Sequence, residues 1–103
     1  MKTDLVEIFQ TIRAEMQPYT TMGLNARTNS DTCYDLWKEK GFVNDSEVEE
    51  RHFAGLEIKD DYVDFKFTEE ASMKIKELDE VLLQQISDAL ASGFQLYKQN
   101  EWV

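Results

Sequence analysis

Carboxylates are the side chains this sequence supplies most freely for chemistry. Asp60, Asp61 and Asp64 stand close together, Glu69 and Glu70 follow, and Asp45, Glu47, Glu49 and Glu50 precede them. Oxygen ligands of this kind hold hard cations such as magnesium or calcium, and iron where the set is all carboxylate. Asp60, Asp61, Asp64, Glu69 and Glu70 are therefore the candidate metal ligands, against the plainer reading that they form a solvated face. The run from Asp45 to Glu50 is no calcium loop, because it lacks a glycine at its sixth place and no bidentate acid closes it.

His52 is the one histidine and Cys33 the one cysteine. A general base needs an orienting partner and a soft-metal site needs further His or Cys, and the sequence shows neither. Cys33, beside Tyr34 in an expected strand, reads as an inert buried thiol with no second cysteine to pair with. The four glycines stand singly, so no phosphate loop exists, and no serine-centred elbow is present. No nucleophile, base and orienter can be assembled, so no catalytic residue is assigned and an enzyme is not expected. The remaining candidates are aromatic. Tyr19, Tyr34 and Trp37, with Arg27 and His52 close by, would line a small-ligand or partner groove if exposed, with Arg27 and Arg13 greeting an anion. The competing reading is that these rings, with Trp102, complete the core.

The balance of 21 acids against 11 bases gives a net charge of −10, which excludes the clustered basic surface a nucleic-acid binder needs. It favours solubility, cations or a basic protein partner, and leaves a homodimer open. No run approaches the roughly 20 apolar residues of a membrane span, and the acid in MKTDLVEI interrupts any secretory core, so a cytoplasmic location is the expectation. At 103 residues the chain is expected to form a single domain, 1–103, around one core.

What must position these residues is a hairpin. In HFAGLEIKDDYVDFKF, a turn at Asp60-Asp61 with Lys59 facing Tyr62 puts Ile58 opposite Val63, Leu56 opposite Phe65 and Ala54 opposite Phe67. One face is then wholly apolar. The other sets Glu57 against Asp64, an unfavourable pair that the diagonals Lys59 to Asp64 and Glu57 to Lys66 offset. Slippage by one residue would bury Lys66 and expose Phe65.

Upstream, Leu5, Ile8, Phe9, Ile12 and Met16 form a helical stripe, started by Asp4-x-x-Glu7 and ended by Pro18, which pushes the residue before it out of the helical region. Leu24 to Thr28 and Cys33 to Lys38 read as strands around a turn at Asn29-Ser30-Asp31. Asn44 to Glu50 reads as a charged loop or a single helical turn. After Phe67, Ala71, Ile75, Leu78, Leu82 and Ile86 fit a continuous helix, whereas Met73 to Lys76 alternates. A tight connection at Thr68-Glu69-Glu70, a strand from Ser72 to Lys76 and a helix capped by Asp79 are preferred. That helix carries Leu82, Leu83, Ile86, Leu90, Phe94 and Tyr97 on one stripe, with Gly93 implying close packing and Trp102 and Val103 folding back. The expected fold class is α+β, a single antiparallel meander sheet of about four to five strands with N- and C-terminal helices packed on one face.

Three stretches carry a resemblance: Gln17-Pro18-Tyr19; Phe53 to Lys59 followed by Tyr62-Val63; and Leu78 to Leu82 followed by Ser92 to Tyr97. In these the chain resembles the YdhG-like family of small bacterial proteins, some of which are treated as frataxin-like iron chaperones. The resemblance spans most of the chain and implies a frataxin-like plan, with iron held weakly by surface carboxylates. It also favours the strand near Ser72. The chain departs from the family in lacking a longer helical insertion between Phe67 and Ser72, which puts any surface built by that insertion in doubt. A small-ligand or protein-interaction domain with no metal role is the alternative expectation.

Overall fold

A computed structural model describes residues 3–43, 45–67 and 71–103. The chain opens with helix α1 (Leu5–Met16), whose first turn is held by Asp4 Oδ1 accepting from the Glu7 N–H at 3.1 Å. Its apolar stripe, Ile8, Phe9, Ile12 and Met16, is fully buried. Pro18 does not push Gln17 out of the helical region as expected: Gln17 keeps φ −55 and ψ −39. The α ladder ends because Pro18 has no N–H to donate, but proline is tolerated at the start of a helical turn, and the chain continues as one 3-10 turn, Gln17–Thr21. There the Thr20 and Thr21 hydroxyls donate to the Gln17 and Pro18 carbonyls, satisfying acceptors the α ladder leaves open.

Among the described residues seven strands follow: β1 (Asn25–Asn29), β2 (Cys33–Lys38), β3 (Gly41–Val43), β4 (Ser46–Val48), β5 (Arg51–Ile58), β6 (Val63–Phe67) and β7 (Ala71–Ile75). Five form one antiparallel sheet in the order β1-β2-β5-β6-β7, and β3 and β4 form a separate ribbon between β2 and β5. The fold is thus α+β. The sheet has the expected meander order, and the ribbon occupies a stretch expected to be loop or helical turn. Its reversal uses Asp45 at φ 67°, a conformation that Asp tolerates better than most residues.

The central hairpin has the register that alternation requires, Ile58 opposite Val63, Leu56 opposite Phe65 and Ala54 opposite Phe67, with the Lys59 N–H donating to the Tyr62 carbonyl at 2.8 Å. Lys59, just past the end of β5, pairs its ammonium with Glu57 and also feels the charge of Asp64, so it offsets the Glu57–Asp64 repulsion from both sides. β7 settles the choice after Phe67 in favour of a strand. The backbone groups it directs away from β6 form the free edge of the sheet.

Helix α2 (Glu80–Gln99) starts where Asp79 Oδ1 accepts from the Leu82 N–H at 2.8 Å. Its stripe of Ile86, Leu90, Phe94 and Tyr97 joins α1 and the inner face of the sheet in one continuous core. Gly93 meets Phe67 so closely that a Cβ there would lie 2.4 Å from the ring's Cζ. Past the helix, Glu101 at φ 58° turns the chain back, the Trp102 N–H donates to the Tyr97 carbonyl at 2.8 Å, and the Arg51 guanidinium stacks 3.8 Å from the Trp102 ring centre. Among the described residues no helix is long and apolar enough to cross a membrane.

Candidate functional site

Strand alternation decides which side chains reach the face left bare by the helices. In β2, Tyr34 and Leu36 point inward, opposite Leu56 and Ala54, so Cys33, Asp35 and Trp37 point outward. Two β-bulges flank Trp37. The β1 register skips Arg27 and the β5 register skips Phe53. A bulge leaves one residue unpaired and re-aims its side chain. The extra residue in β5 sends Phe53 and Ala54 both into the core, and His52 emerges on the outer face opposite Trp37.

Around Trp37 the geometry is well defined. Arg27 lies over its ring at 4.2 Å from the centroid, and His52 meets it edge-on at 5.0 Å. His52 Nε2 stands 3.7 Å from Asp35 Oδ1. Gly55, paired opposite Asp35, makes that approach possible: a Cβ at this position would lie 2.4 Å from Asp35 Oδ1 and 3.0 Å from His52 Nε2. From behind, the His52 carbonyl accepts the Tyr97 O–H at 3.1 Å. The sheet fixes the backbone on both sides of the pair.

Arg27 is committed rather than free. Its Nε donates to Glu39 Oε1 at 2.8 Å and its Nη2 to Glu39 Oε2 at 2.7 Å, the bidentate arrangement that suits a guanidinium, and Nη2 also meets Glu50. These hydrogen bonds raise the Arg27 pKa. The hydrogen bond from Arg27, reinforced by its charge and that of Lys38, holds the Glu39 carboxyl below the usual range, against an opposing effect of burial. The sign follows directly. A carboxylate whose folded pKa is depressed contributes stability above the ordinary glutamate value of about 4.3 and loses it as pH falls through the folded value. Chemical unfolding of wild type and Glu39→Gln should therefore differ near neutrality and converge below about pH 4; a gap that is the same at neutral and acid pH would remove this role for Glu39.

Three of the five groove candidates, Arg27, Trp37 and His52, thus come together, joined by Asp35, Glu39 and Glu50. Tyr34 and Tyr19 lie elsewhere. Tyr34 is buried on the inner face with Arg13 above its ring at 5.4 Å, and Tyr19 packs on Phe53 and Phe94 at 5.4 and 5.3 Å. Burial raises both phenol pKa values. Cys33 shares the outer face, but burial first, and then the charges of Asp35 and Glu57, push its thiol up, which leaves it a poor nucleophile.

Of the metal candidates, Asp60 and Asp61 are exposed at the hairpin turn, with Asp61 3.4 Å from Lys76, and Asp64 sits in the sheet between Glu57 and Lys74. Glu69 and Glu70 lie outside the described residues. Among the described residues no three His, Cys, Asp or Glu side chains are grouped to hold a metal ion.

Comparison with protein-family models, curated proteins and solved structures returns no match. No family is assigned by it. The YdhG-like resemblance rests on its sequence motifs alone, and the chemistry of the site on its geometry. That geometry provides an aromatic pair in a rigid frame, a histidine beside a carboxylate, and two further acids on one committed guanidinium. It is suited to holding something positively charged, and the thiol on the same face, Cys33, is a poor nucleophile.

Asp35 and Glu39 were within reach of sequence reasoning, because positions 33, 35, 37 and 39 alternate along one strand face with Trp37. Gly55 and Glu50 carry no such local signal, since both depend on which distant strand lies beside β2.

Proposed function

We propose that the protein is a non-enzymatic binding module that holds a basic partner on the helix-free face of its sheet, around Trp37 and His52. One observation carries this reading. Asp35, Glu39 and Glu50 outnumber Arg27 beside an aromatic pair, on a chain of net charge −10, so a lysine or arginine from a partner gains both ionic and ring contacts. Because Arg27 is neutralised by two carboxylates, the face is a poor host for an anion.

The frataxin-like plan and the iron cargo suggested by the sequence motifs remain a separate reading. Two of its five donors, Glu69 and Glu70, lie outside the described residues, and the partner-binding reading is preferred for the geometry around Trp37.

The test is a titration of 15N-labelled protein with a short arginine- and lysine-containing peptide in about 0.15 M salt, which screens diffuse attraction between distant charges. Saturable shifts at the amides of Asp35, Trp37 and His52 are expected, and Trp37→Ala should weaken binding about tenfold, as loss of a central aromatic contact commonly does. Shifts spread evenly over the acidic surface, or an affinity that Trp37→Ala leaves unchanged, would overturn the proposal.

A further inference from the structure

Arg27 already fills the position that the acidic face offers to a cation. Its guanidinium lies over the Trp37 ring at 4.2 Å from the centroid. It meets Glu39 through two hydrogen bonds side by side, Nε to Oε1 at 2.8 Å and Nη2 to Oε2 at 2.7 Å, and Nη2 also reaches Glu50. One planar cation is thus read by a ring face, a carboxylate fork and a second carboxylate. The fit is selective for a guanidinium, because an ammonium has no flat face to lay on the indole and no rigid pair of donors for the fork.

The seat and its occupant come from different parts of the sheet. Trp37 belongs to β2, while Glu39 and Glu50 stand where the chain leaves β2 for the ribbon and where it returns to β5. Arg27 belongs to β1, an edge strand, at the residue the β1–β2 register skips. Within β1 it is Ala26 that packs against the core, so the Arg27 side chain can swing into water and leave the core undisturbed. The side chains of Arg27, Glu39 and Glu50 are 32, 41 and 54% exposed, and ion pairs this open to water hold weakly.

We propose that Trp37, Glu39 and Glu50 form a guanidinium seat, that the partner presents an arginine side chain to it, and that Arg27 is an internal occupant which the partner's arginine displaces. This rests on the partner-binding reading of the same face. The incoming arginine remakes the contacts that Arg27 gives up, and the residues flanking it supply the gain. Molecules in which Arg27 fills the seat do not bind, so the internal arginine lowers the apparent affinity, and removing it strengthens binding.

The test uses two peptides of one sequence, with arginine as the basic residue in one and lysine in the other, titrated into wild type and Arg27→Ala in about 0.15 M salt. Arg27→Ala should bind the arginine peptide at least about fivefold more tightly than wild type does. It should also prefer that peptide to its lysine counterpart by at least about threefold. In wild type the Arg27 Nε–Hε resonance should shift together with the Trp37 and Glu39 amides as the arginine peptide is added. If circular dichroism shows Arg27→Ala misfolded, Arg27→Gln takes its place with the same expected direction. An affinity that the variant leaves unchanged or weakens, or an equal gain for the two peptides, which charge alone would give, overturns the guanidinium seat while binding by wild type leaves the partner-binding reading standing. Absence of saturable binding to wild type and variant alike overturns both.

Discussion

Replacing Phe53 by alanine should cost about 3–5 kcal/mol of unfolding free energy, the usual loss when a large aromatic is removed from a sealed core. Few positions here are so thoroughly enclosed. Phe53 is fully buried, and its ring meets those of Tyr19, Phe67, Phe94 and Tyr97 at centroid separations of 5.3 to 6.3 Å, mostly edge to face. The partners come from the 3-10 turn, β6 and α2, so the cavity would touch every layer of the molecule at once. It would have little freedom to collapse, because the surrounding rings are themselves held by both the sheet and α2. For domains holding 5–15 kcal/mol in all, such a loss brings the chain near its folding threshold. Urea unfolding of Phe53→Ala and wild type measures it; a difference under about 1 kcal/mol would show that the ring cluster is not the centre of stability.

Gly93→Ala should also destabilise, although alanine is worth about 1 kcal/mol more than glycine inside a helix. The added Cβ would lie 2.4 Å from Cζ and 2.9 Å from Cε2 of Phe67, too close for either to remain in place. Phe67 is itself held against Phe53 and Phe65, at 6.1 and 6.4 Å between ring centres. Overpacking of this kind costs about 1–3 kcal/mol, so after the helix-propensity gain the net loss should be up to about 2 kcal/mol. A double-mutant cycle with Phe67→Leu, which removes the colliding atoms, separates the effects. There the alanine should become neutral or stabilising, and a coupling energy near zero would show that the helix and the ring do not meet as described.

The parts of this fold readable from sequence are those set by local repetition. The hairpin register follows from alternation on both sides of Asp60-Asp61, and α1 and α2 from stripes at helical spacing closed by Asp4 and Asp79. Local pattern could not decide β7, because Met73 to Lys76 satisfies the strand and helix templates equally; pairing with β6 decides it. The ribbon of β3 and β4 was illegible for another reason. Of its residues only Val48 is buried, so there is no apolar face to betray a strand, and the acids of this stretch resemble a loop. At the site, Trp37 and His52 stood out as residue types, but their contact depends on β2 meeting β5 across the whole ribbon. That Arg27 would be claimed by Glu39 and Glu50 rather than left for an anion depends on a bulge in an edge strand, a feature no periodicity announces.

The bulge in β5 also governs phase. Strand residues before Phe53 face the opposite way from where uninterrupted alternation would put them, so the insertion acts as a parity switch between the two halves of one strand. Pairing without the bulge, with Phe53 rather than His52 opposite Trp37, would turn the imidazole toward the helices and bring Phe53 and Arg51 onto the outer face. The electrical character of that surface is thus written in pairing register as much as in residue type, and a shift of one position would rewrite it with no change of composition.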